Sequence, residues 1–522
     1  MPVRQRQPNE IAQQVVPLLL LGIGLVVTNN SVTFIDDEVE CINNAMRPVQ
    51  ETLALYFSGN AFQSHPPLFD ILLHFWLRWT GGNFDYLRLP SILFFLAGLF
   101  LLARASLFFT GPSGAAAVIW TGALWPFEYH FGRIAMWYSC AFFMVSGLTL
   151  AYLKYLEGRT FARWMALFLF ALGLIWTNYY GWAFLGCLAV DQLLRRGARD
   201  SRRAGELLGM AGLLAASFFP VLRSFLATRH DFVNVHGRPV TIAANAAFSV
   251  FSLFVSESVA PWFWRFSVPA GLAIVLCIAL AVRWMPPSAR RLLFYAAALI
   301  ALLAVLGILN TKRMTLVAPW VLLPIAVAIE TAKPRWATYG LAAALLTIGA
   351  IGWYGTYARR YYSAPRFIEP WQEVAGEAAA KIDAGATVIS DHPSFLFYLT
   401  YILRVPKQNG PWRFQGVLLE TVRHPQVFYP LDWLSTGQPT RGKIILVRGG
   451  AEAGGSESVD EVAQRLDRSC GSISSRLRMR DEGYQWKQRF FPELGEPQWR
   501  IEIREYDCDS SNSKQIYQIP PR

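Results

Sequence analysis

Apolar runs long enough to cross a bilayer, or nearly so, recur along the chain as far as Tyr357, with polar clusters between them. They cover residues 11–28, 88–108, 113–127, 134–156, 163–177, 178–194, 205–222, 266–283, 290–309, 314–331 and 335–357. A helix needs about 20 residues to cross the roughly 30 Å of hydrocarbon in a membrane. The pattern predicts an α-helical polytopic membrane protein with about 11 transmembrane helices. No secretory cleavage site follows the first run, so it reads as a retained anchor.

Two apolar stretches fall short of a span. HPPLFDILLHFWLRWTGG, residues 65–82, is interrupted by Asp70, His74 and Arg78. It reads as an amphipathic helix lying at the membrane surface. The second, Ala243 to Val255, is too short to span comfortably.

Beyond Tyr357 the pattern changes. RRYYSAPRFIEPW leads into a polar region of about 160 residues. ATVIS and KIILVR read as buried strands, WRIEIREY alternates like a strand, and EVAGEAAAKI and DEVAQRL read as helices. The expected organisation is a membrane domain over residues 1–360, with a long first outside loop over 29–87. A soluble α/β domain follows over 361–522.

Charge fixes the expected orientation. Arg4 and Arg6, Lys154 to Arg163, Arg195 to Arg203, Arg283 to Arg291, and Lys333 with Arg335 all fall on one side if each run crosses once. The positive-inside rule makes that side cytoplasmic. The loop 29–87 and the C-terminal domain then lie outside, in the plasma (inner) membrane of a cell with an envelope beyond it.

Composition agrees. The chain is 53% hydrophobic and 16% charged, against about 25% charged in soluble domains. Its net charge of +12 sits in short loops between apolar runs, so no nucleic-acid partner is expected. Cys140, Cys187 and Cys277 lie in apolar runs as packing residues. Cys470 and Cys508 can form a disulfide if their domain is outside the cytoplasm.

Several outside segments carry candidate chemistry. FIDDEVE, Phe34 to Glu40, sets Asp36, Asp37 and Glu38 side by side just past the first span. Packed acids repel, so this is either a solvated loop or a catalytic or metal-binding site. HPPLF begins a helix at a fixed angle and offers His65; YLRLPS offers Arg88, read as a snorkelling interfacial arginine. WPFEYHFGRIAMWYS confines Glu128, His130 and Arg133 between two spans, where charges tend to be functional. TNYYGW offers amide and phenol groups to a sugar, although interfacial tyrosine is equally expected there. NTKRMT puts Lys312 and Arg313 on the side that disfavours cations, which suits either a phosphate or anionic lipid.

Taken in order, these motifs resemble the GT-C superfamily of membrane glycosyltransferases. An outside DE follows the first span, then an HPPL helix start, RLPS at the second span and an arginine-containing turn before the fourth. TNY after the fifth span and KR before APWVLLPIA extend the series. The superfamily uses polyprenyl-phosphate sugars and includes protein O-mannosyltransferases, the lipid A aminoarabinose transferase and Rgt-type lipopolysaccharide glycosyltransferases. The resemblance covers roughly residues 10–360.

It implies that Asp37 or Glu38, with Asp36 a rival, deprotonates the acceptor hydroxyl. It implies that Lys312 and Arg313 contact the donor phosphate, with Arg133 on the same face. Glu128, Arg133 and Tyr138 stand for the arginine turn, and His65, Asn178 and Tyr179 join them as candidate substrate-binding residues. Arg313 is followed by Met314 where the family has tyrosine, and Asn178 stands where many relatives have histidine.

The expected activity is inverting transfer of a hexosyl or pentosyl group to a glycolipid, lipopolysaccharide or protein. No Gly-rich nucleotide loop is present, which suits a lipid-linked donor. No zinc motif is present, and no metal ligands are assigned. The three acids leave room for a divalent cation as cofactor. The rival reading is a lipid-linked sugar flippase or transporter, marked by charges at mid-membrane.

Overall fold

Runs of leucine, alanine and phenylalanine fold as helices because a helix closes its own backbone hydrogen bonds where lipid offers none. The computed structural model describes residues 8–29, 32–60, 65–196, 201–228, 239–403, 411–414, 417–420, 424–435, 441–449, 457–490 and 498–509. Arg4, Arg6 and Arg199 of the basic clusters lie outside the described residues. Eight described helices are long and apolar enough to cross a membrane. They are Leu89–Ser106, Trp137–Glu157, Gly205–Ala227, Pro239–Ser258, Trp264–Trp284, Pro287–Val305, Thr311–Thr331 and Arg335–Ala358. Gln14–Val27 and Phe161–Thr177 are apolar but shorter, and Pro112–Leu124 and Gly181–Arg196 fill the other predicted runs.

Pro239–Val255 is longer than its sequence suggests. Pro239 starts it, where a missing N–H costs nothing, and a 3₁₀ turn at Ser256–Ser258 extends it. Its length would let it cross, and hydrogen bonds tie it to three other stretches of the chain. Asn245 Nδ2 donates to the Leu309 carbonyl at 2.6 Å, Trp125 Nε1 donates to the Leu253 carbonyl, and Ser258 Oγ donates to the Gly352 carbonyl at 2.9 Å. Leu309, Trp125 and Gly352 lie at or near the carboxyl ends of three different helices.

Leu68–Thr80 is short and one-sided. It buries Phe69, Asp70, Leu73, His74 and Leu77, and exposes Phe75 and Trp79. At 1.5 Å per residue it measures about 20 Å, less than the hydrocarbon core. Its buried polar groups are satisfied: Tyr56 OH donates to Asp70 at 3.0 Å, and His74 Nδ1 donates to the Ala45 carbonyl at 2.8 Å.

Asp191 is a carboxylate buried among the helices. Asp191 accepts from Tyr152 OH at 2.7 Å, Tyr295 OH at 2.9 Å and Arg195 Nε at 2.6 Å, and Arg291 lies 3.6 Å away. A buried charge needs such partners to offset its lost hydration. The cluster joins Trp137–Glu157, Gly181–Arg196 and Pro287–Val305.

The chain divides into two compact units. One joins Met1–Ser31 to Asn44–Ser363; the other joins Val32–Asn43 to Ala364–Arg522. Residues 32–43 of the first loop thus fold with the C-terminal unit.

That second unit is built on strands β1 (Thr387–Ser390), β2 (Pro411–Phe414), β3 (Val417–Glu420), β4 (Val427–Phe428), β5 (Lys443–Gly449), β6 (Gly471–Arg480) and β7 (Trp499–Asp507). Five form a sheet in the order β4-β1-β5-β7-β6, and β2 pairs with β3. β1 lies parallel to both β4 and β5, while β7 is antiparallel to β5 and β6. Helix Glu457–Ser469 buries Val459, Val462, Ala463 and Leu466, spaced as one helical face, against Ile389, Ile444, Leu446 and Tyr506.

Cys470 and Cys508 form a disulfide across a sequence separation of 38 residues, tying the start of β6 to the end of β7. Closing a loop of that size in the unfolded chain stabilises a domain by roughly 2–4 kcal/mol. Replacing both cysteines by serine should therefore lower the urea midpoint of the C-terminal unit. Pulse proteolysis of the solubilised full-length protein measures this; an unchanged midpoint would show that the bridge contributes nothing.

Candidate active site

The chain turns into helix Asp36–Met46 directly after Ile35, and its first turn is Asp36, Asp37 and Glu38. The positive end of the helix dipole favours negative charge at that position. That is the local reason three adjacent carboxylates are tolerated. Their burial is graded: Asp36 is exposed, Asp37 half-buried and Glu38 buried.

The segment before them is tied down within the C-terminal unit. Thr33 N donates to the Phe367 carbonyl at 3.0 Å, and Thr33 Oγ1 donates to the Glu369 carbonyl at 2.6 Å. Phe34 N donates to the Tyr398 hydroxyl at 2.9 Å, and the Phe34 ring packs 5.0 Å from that of Phe397. Ser394 Oγ donates to Asp36 Oδ1 at 2.6 Å.

The other candidates lie in the membrane unit. Trp125 and Pro126 interrupt the chain after Pro112–Leu124 and start the short helix Pro126–Phe131. This turn is buried throughout. Arg133 Nη1 donates to the Thr28 carbonyl at 2.7 Å and to Thr28 Oγ1 at 3.1 Å, and its guanidinium lies 4.7 Å from the Tyr129 ring. Burial draws the Arg133 pKa down; Tyr129 and Tyr362 oppose this, and Arg88 adds to it. Burial pushes the Glu128 carboxyl well above the usual carboxylate range.

Arg88 departs from expectation. Instead of snorkelling to water it is 0% exposed, with Nη1 donating to the Asn29 carbonyl at 2.6 Å. The free carbonyls at the end of the first helix draw it inward.

Asn310 caps the turn that holds the late cations, its Oδ1 accepting from Arg313 N at 3.0 Å. Arg313 is buried, donates from Nη1 to the Ile308 carbonyl and stacks 4.8 Å from the Tyr180 ring. Lys312 is half-buried, and its carbonyl accepts from Thr315 Oγ1 at 2.8 Å. Asn178 Oδ1 accepts from Tyr180 N at 2.9 Å and so fixes the turn that presents Tyr180.

A series of ring contacts joins these parts. His65 lies 6.4 Å from Trp137, Trp137 4.7 Å from Tyr138, Tyr138 5.5 Å from Phe131, and Phe131 4.9 Å from His130. Tyr138 is also an electrostatic neighbour of Arg313. His130 reaches Tyr362 at 5.9 Å, and Tyr362 faces Arg133. The membrane unit thus brings His65, Arg133, Tyr138, Asn178 and Arg313 into one contiguous cluster.

Tyr179 points elsewhere, with its ring 5.1 Å from Phe225 and 5.9 Å from Phe218. Burial pushes its phenol up to about 12. Tyr180 and Tyr362 are the cluster members that sequence reasoning passed over. The adjacent tyrosines of TNYYGW signalled one inward ring without saying which. Chemically, the cluster offers a buried, aromatic-lined cation to an anionic group and amide and phenol groups to a polar one.

No protein-family model and no curated protein matches this sequence. Solved structures do. The chain has the GT-C fold and is a multi-pass membrane protein. It aligns with the crystal structure of ArnT from Cupriavidus metallidurans in the apo state with a TM-score of 0.54 at 12% identity, over 94% of this chain and 97% of that one. With ArnT from the same organism bound to undecaprenyl phosphate, the TM-score is 0.53 at 12% identity, over 95% and 98% of the two chains. The cryo-EM structure of arabinofuranosyltransferase AftD from Mycobacteria aligns with a TM-score of 0.46 at 16% identity, over 97% of this chain and 40% of that one.

Glu128 gives a pH test of this turn. Its raised pKa means the folded protein holds a proton that the unfolded chain releases. Stability from this group is complete below the ordinary carboxyl value of about 4.3 and is lost as pH rises toward the raised value. Glu128→Gln, which mimics the protonated form, should remove that loss. Thermal unfolding of both proteins from pH 4 upward checks it, and parallel profiles would show that Glu128 is not held neutral.

Proposed function

We propose that this protein is an integral membrane glycosyltransferase. It moves a sugar from a polyprenyl-phosphate donor to a hydroxyl of a glycolipid, lipopolysaccharide or protein, on the outer face of the plasma (inner) membrane. The observation that carries the reading is the likeness of nearly the whole chain to a structure holding undecaprenyl phosphate. Arg313, buried and stacked on Tyr180, supplies matching chemistry for a phosphate.

In this reading Asp37 takes the proton of the acceptor hydroxyl. The oxygen attacks the anomeric carbon as the bond from that carbon to the phosphate oxygen breaks. Configuration inverts, and polyprenyl phosphate leaves with its charge balanced by Arg313, Lys312 and Arg133. His65, Glu128, Tyr138 and Asn178, with Tyr180 in place of Tyr179, are the proposed contacts for the sugar and acceptor.

Labelled polyprenyl-phosphate sugars, incubated with the protein in lipid extract, test the reading directly. Transfer is expected, and Asp37→Asn should lower it by about 10²- to 10⁴-fold with donor binding intact. Arg313→Ala should weaken donor binding by roughly 1.5–3 kcal/mol, and Arg313→Lys should restore part of that. Normal turnover in the amide variants of Asp36, Asp37 and Glu38 alike would end the catalytic reading.

The orientation rests on the basic loops and on the disulfide, a bond of oxidising compartments. Ser58 and Ser472 are exposed and suit single-cysteine labelling once Cys41, Cys140, Cys187 and Cys277 are replaced. Both should react with an impermeant reagent on intact cells. Protection of either one refutes the proposed topology.

A further inference from the structure

The sheet of the C-terminal unit has a point where its connections part. From β1 the chain passes to β4 on one side, and from β5 it passes to β6 and β7 on the other. In open α/β sheets the carboxyl ends of two such strands frame a crevice, and that crevice is where such sheets take their ligands. Here β1 ends at Ser390, Asp391 and His392 link it to the helix Pro393–Ile402 whose first turn carries Ser394, and β5 ends at Gly449. A side chain at Gly449 would collide with the His392 ring, so the two strand ends meet closely.

This crevice holds a segment of the chain's own first loop. Ser394 Oγ donates to Asp36 Oδ1 at 2.6 Å, and His392 Nδ1 lies 3.9 Å from the same oxygen. His392 is itself fixed, stacked on Trp371 with ring centroids 4.0 Å apart. Trp371 Nε1 donates to Glu369 Oε2 at 2.7 Å, and Arg500 Nε donates to Glu369 Oε1 at 2.7 Å. A continuous set of contacts therefore runs from β7 to the carboxylate of Asp36.

We propose that Ser394 and His392 are positioning residues: they anchor Asp36 at the sheet's switch point and thereby orient the next residue, Asp37, as the base. The inference rests on the glycosyl-transfer reading given above. It assigns the C-terminal domain a part in catalysis, through the placement of an acid it does not itself carry in sequence. Adjacent residues in a helical turn point about 100° apart, so a fixed Asp36 sets the direction of Asp37. Losing that anchor leaves the base in its place but broadens its orientation, and small misplacements of a catalytic group cost rate more than binding.

Steady-state transfer by the full-length protein, with a labelled polyprenyl-phosphate sugar, tests this. Ser394→Ala should lower kcat by about tenfold to a hundredfold with donor KM unchanged. Ser394→Thr, which keeps the hydroxyl, should recover most of the loss. Asp36→Ala should give the same fall, and combining it with Ser394→Ala should go no deeper, because both remove one contact. The proposal is overturned if Ser394→Ala turns over normally while Asp37→Asn is inactive, or if the two losses multiply. It is overturned equally if Asp36→Ala is as inactive as Asp37→Asn, since Asp36 would then be a reacting group. Should Ser394→Ala fail to fold, Asp36→Ala and Ser394→Thr carry the same comparison. Normal turnover in Asp37→Asn, by contrast, marks failure of the glycosyl-transfer reading rather than of the anchor.

Discussion

Two arginines removed from water close the carboxyl end of the first helix. Arg133 donates to the Thr28 carbonyl and Arg88 to the Asn29 carbonyl, and both are 0% exposed. A helix end leaves carbonyls without partners and carries partial negative charge, so two guanidinium groups satisfy a need that lipid and protein interior cannot. The cost of burying each cation is offset by charge-assisted hydrogen bonds and by the Tyr129 ring under Arg133. Removing either arginine would leave the other to satisfy that helix end alone. The pair also draws three separated stretches together: the first helix end, the start of Leu89–Ser106 and the buried turn at residues 125–136.

The later arginine is held by the same physics. Arg313 also donates to a nearby carbonyl and also lies over a tyrosine. Its turn is capped by Asn310, and its facing turn is held by Asn178, so cation and ring are both fixed by short local hydrogen bonds. A guanidinium held this way keeps its planar fork ready for an anion at little further entropic cost. The aromatic residues between Arg313 and His130 keep the surroundings weakly polar, which strengthens any electrostatic contact made there.

Much of this was legible in the sequence, and the rest was hidden for physical reasons. WRIEIREY and KIILVR read as strands because alternation and a buried β-branched run are local signals, and they fold as β7 and β5. The GT-C architecture was legible because charge and hydropathy order survive when identity has fallen to 12%. The contacts of Pro239–Val255 were not, since their partners Leu309 and Trp125 lie far away in sequence. The burial of Arg88 was hidden for the same reason: a lone arginine beside a span looks alike whether its partner is water or a helix end. That residues 32–43 fold with the C-terminal unit could not be read at all from a hydropathy pattern. Its cause is a handful of hydrogen bonds to residues more than 300 positions later.

The distribution of charge also separates the two functional classes. A transporter must offer polar groups along its path, so ionisable residues at mid-membrane are its usual mark. In the eight long apolar helices every Lys, Arg, Asp and Glu lies within about a turn and a half of an end. Asp191, in the shorter Gly181–Arg196, sits in that helix's last turns and is saturated by two tyrosines and two arginines. A carboxylate so fully engaged ties helices together and has little capacity left to accept a passing cation or proton. The polar groups at the helix ends, by contrast, are set among aromatic rings and on fixed turns. Rigid placement of that kind serves a reaction at a membrane face, where geometry must be held through the transition state, better than it serves passage, where contacts must be made and released in succession.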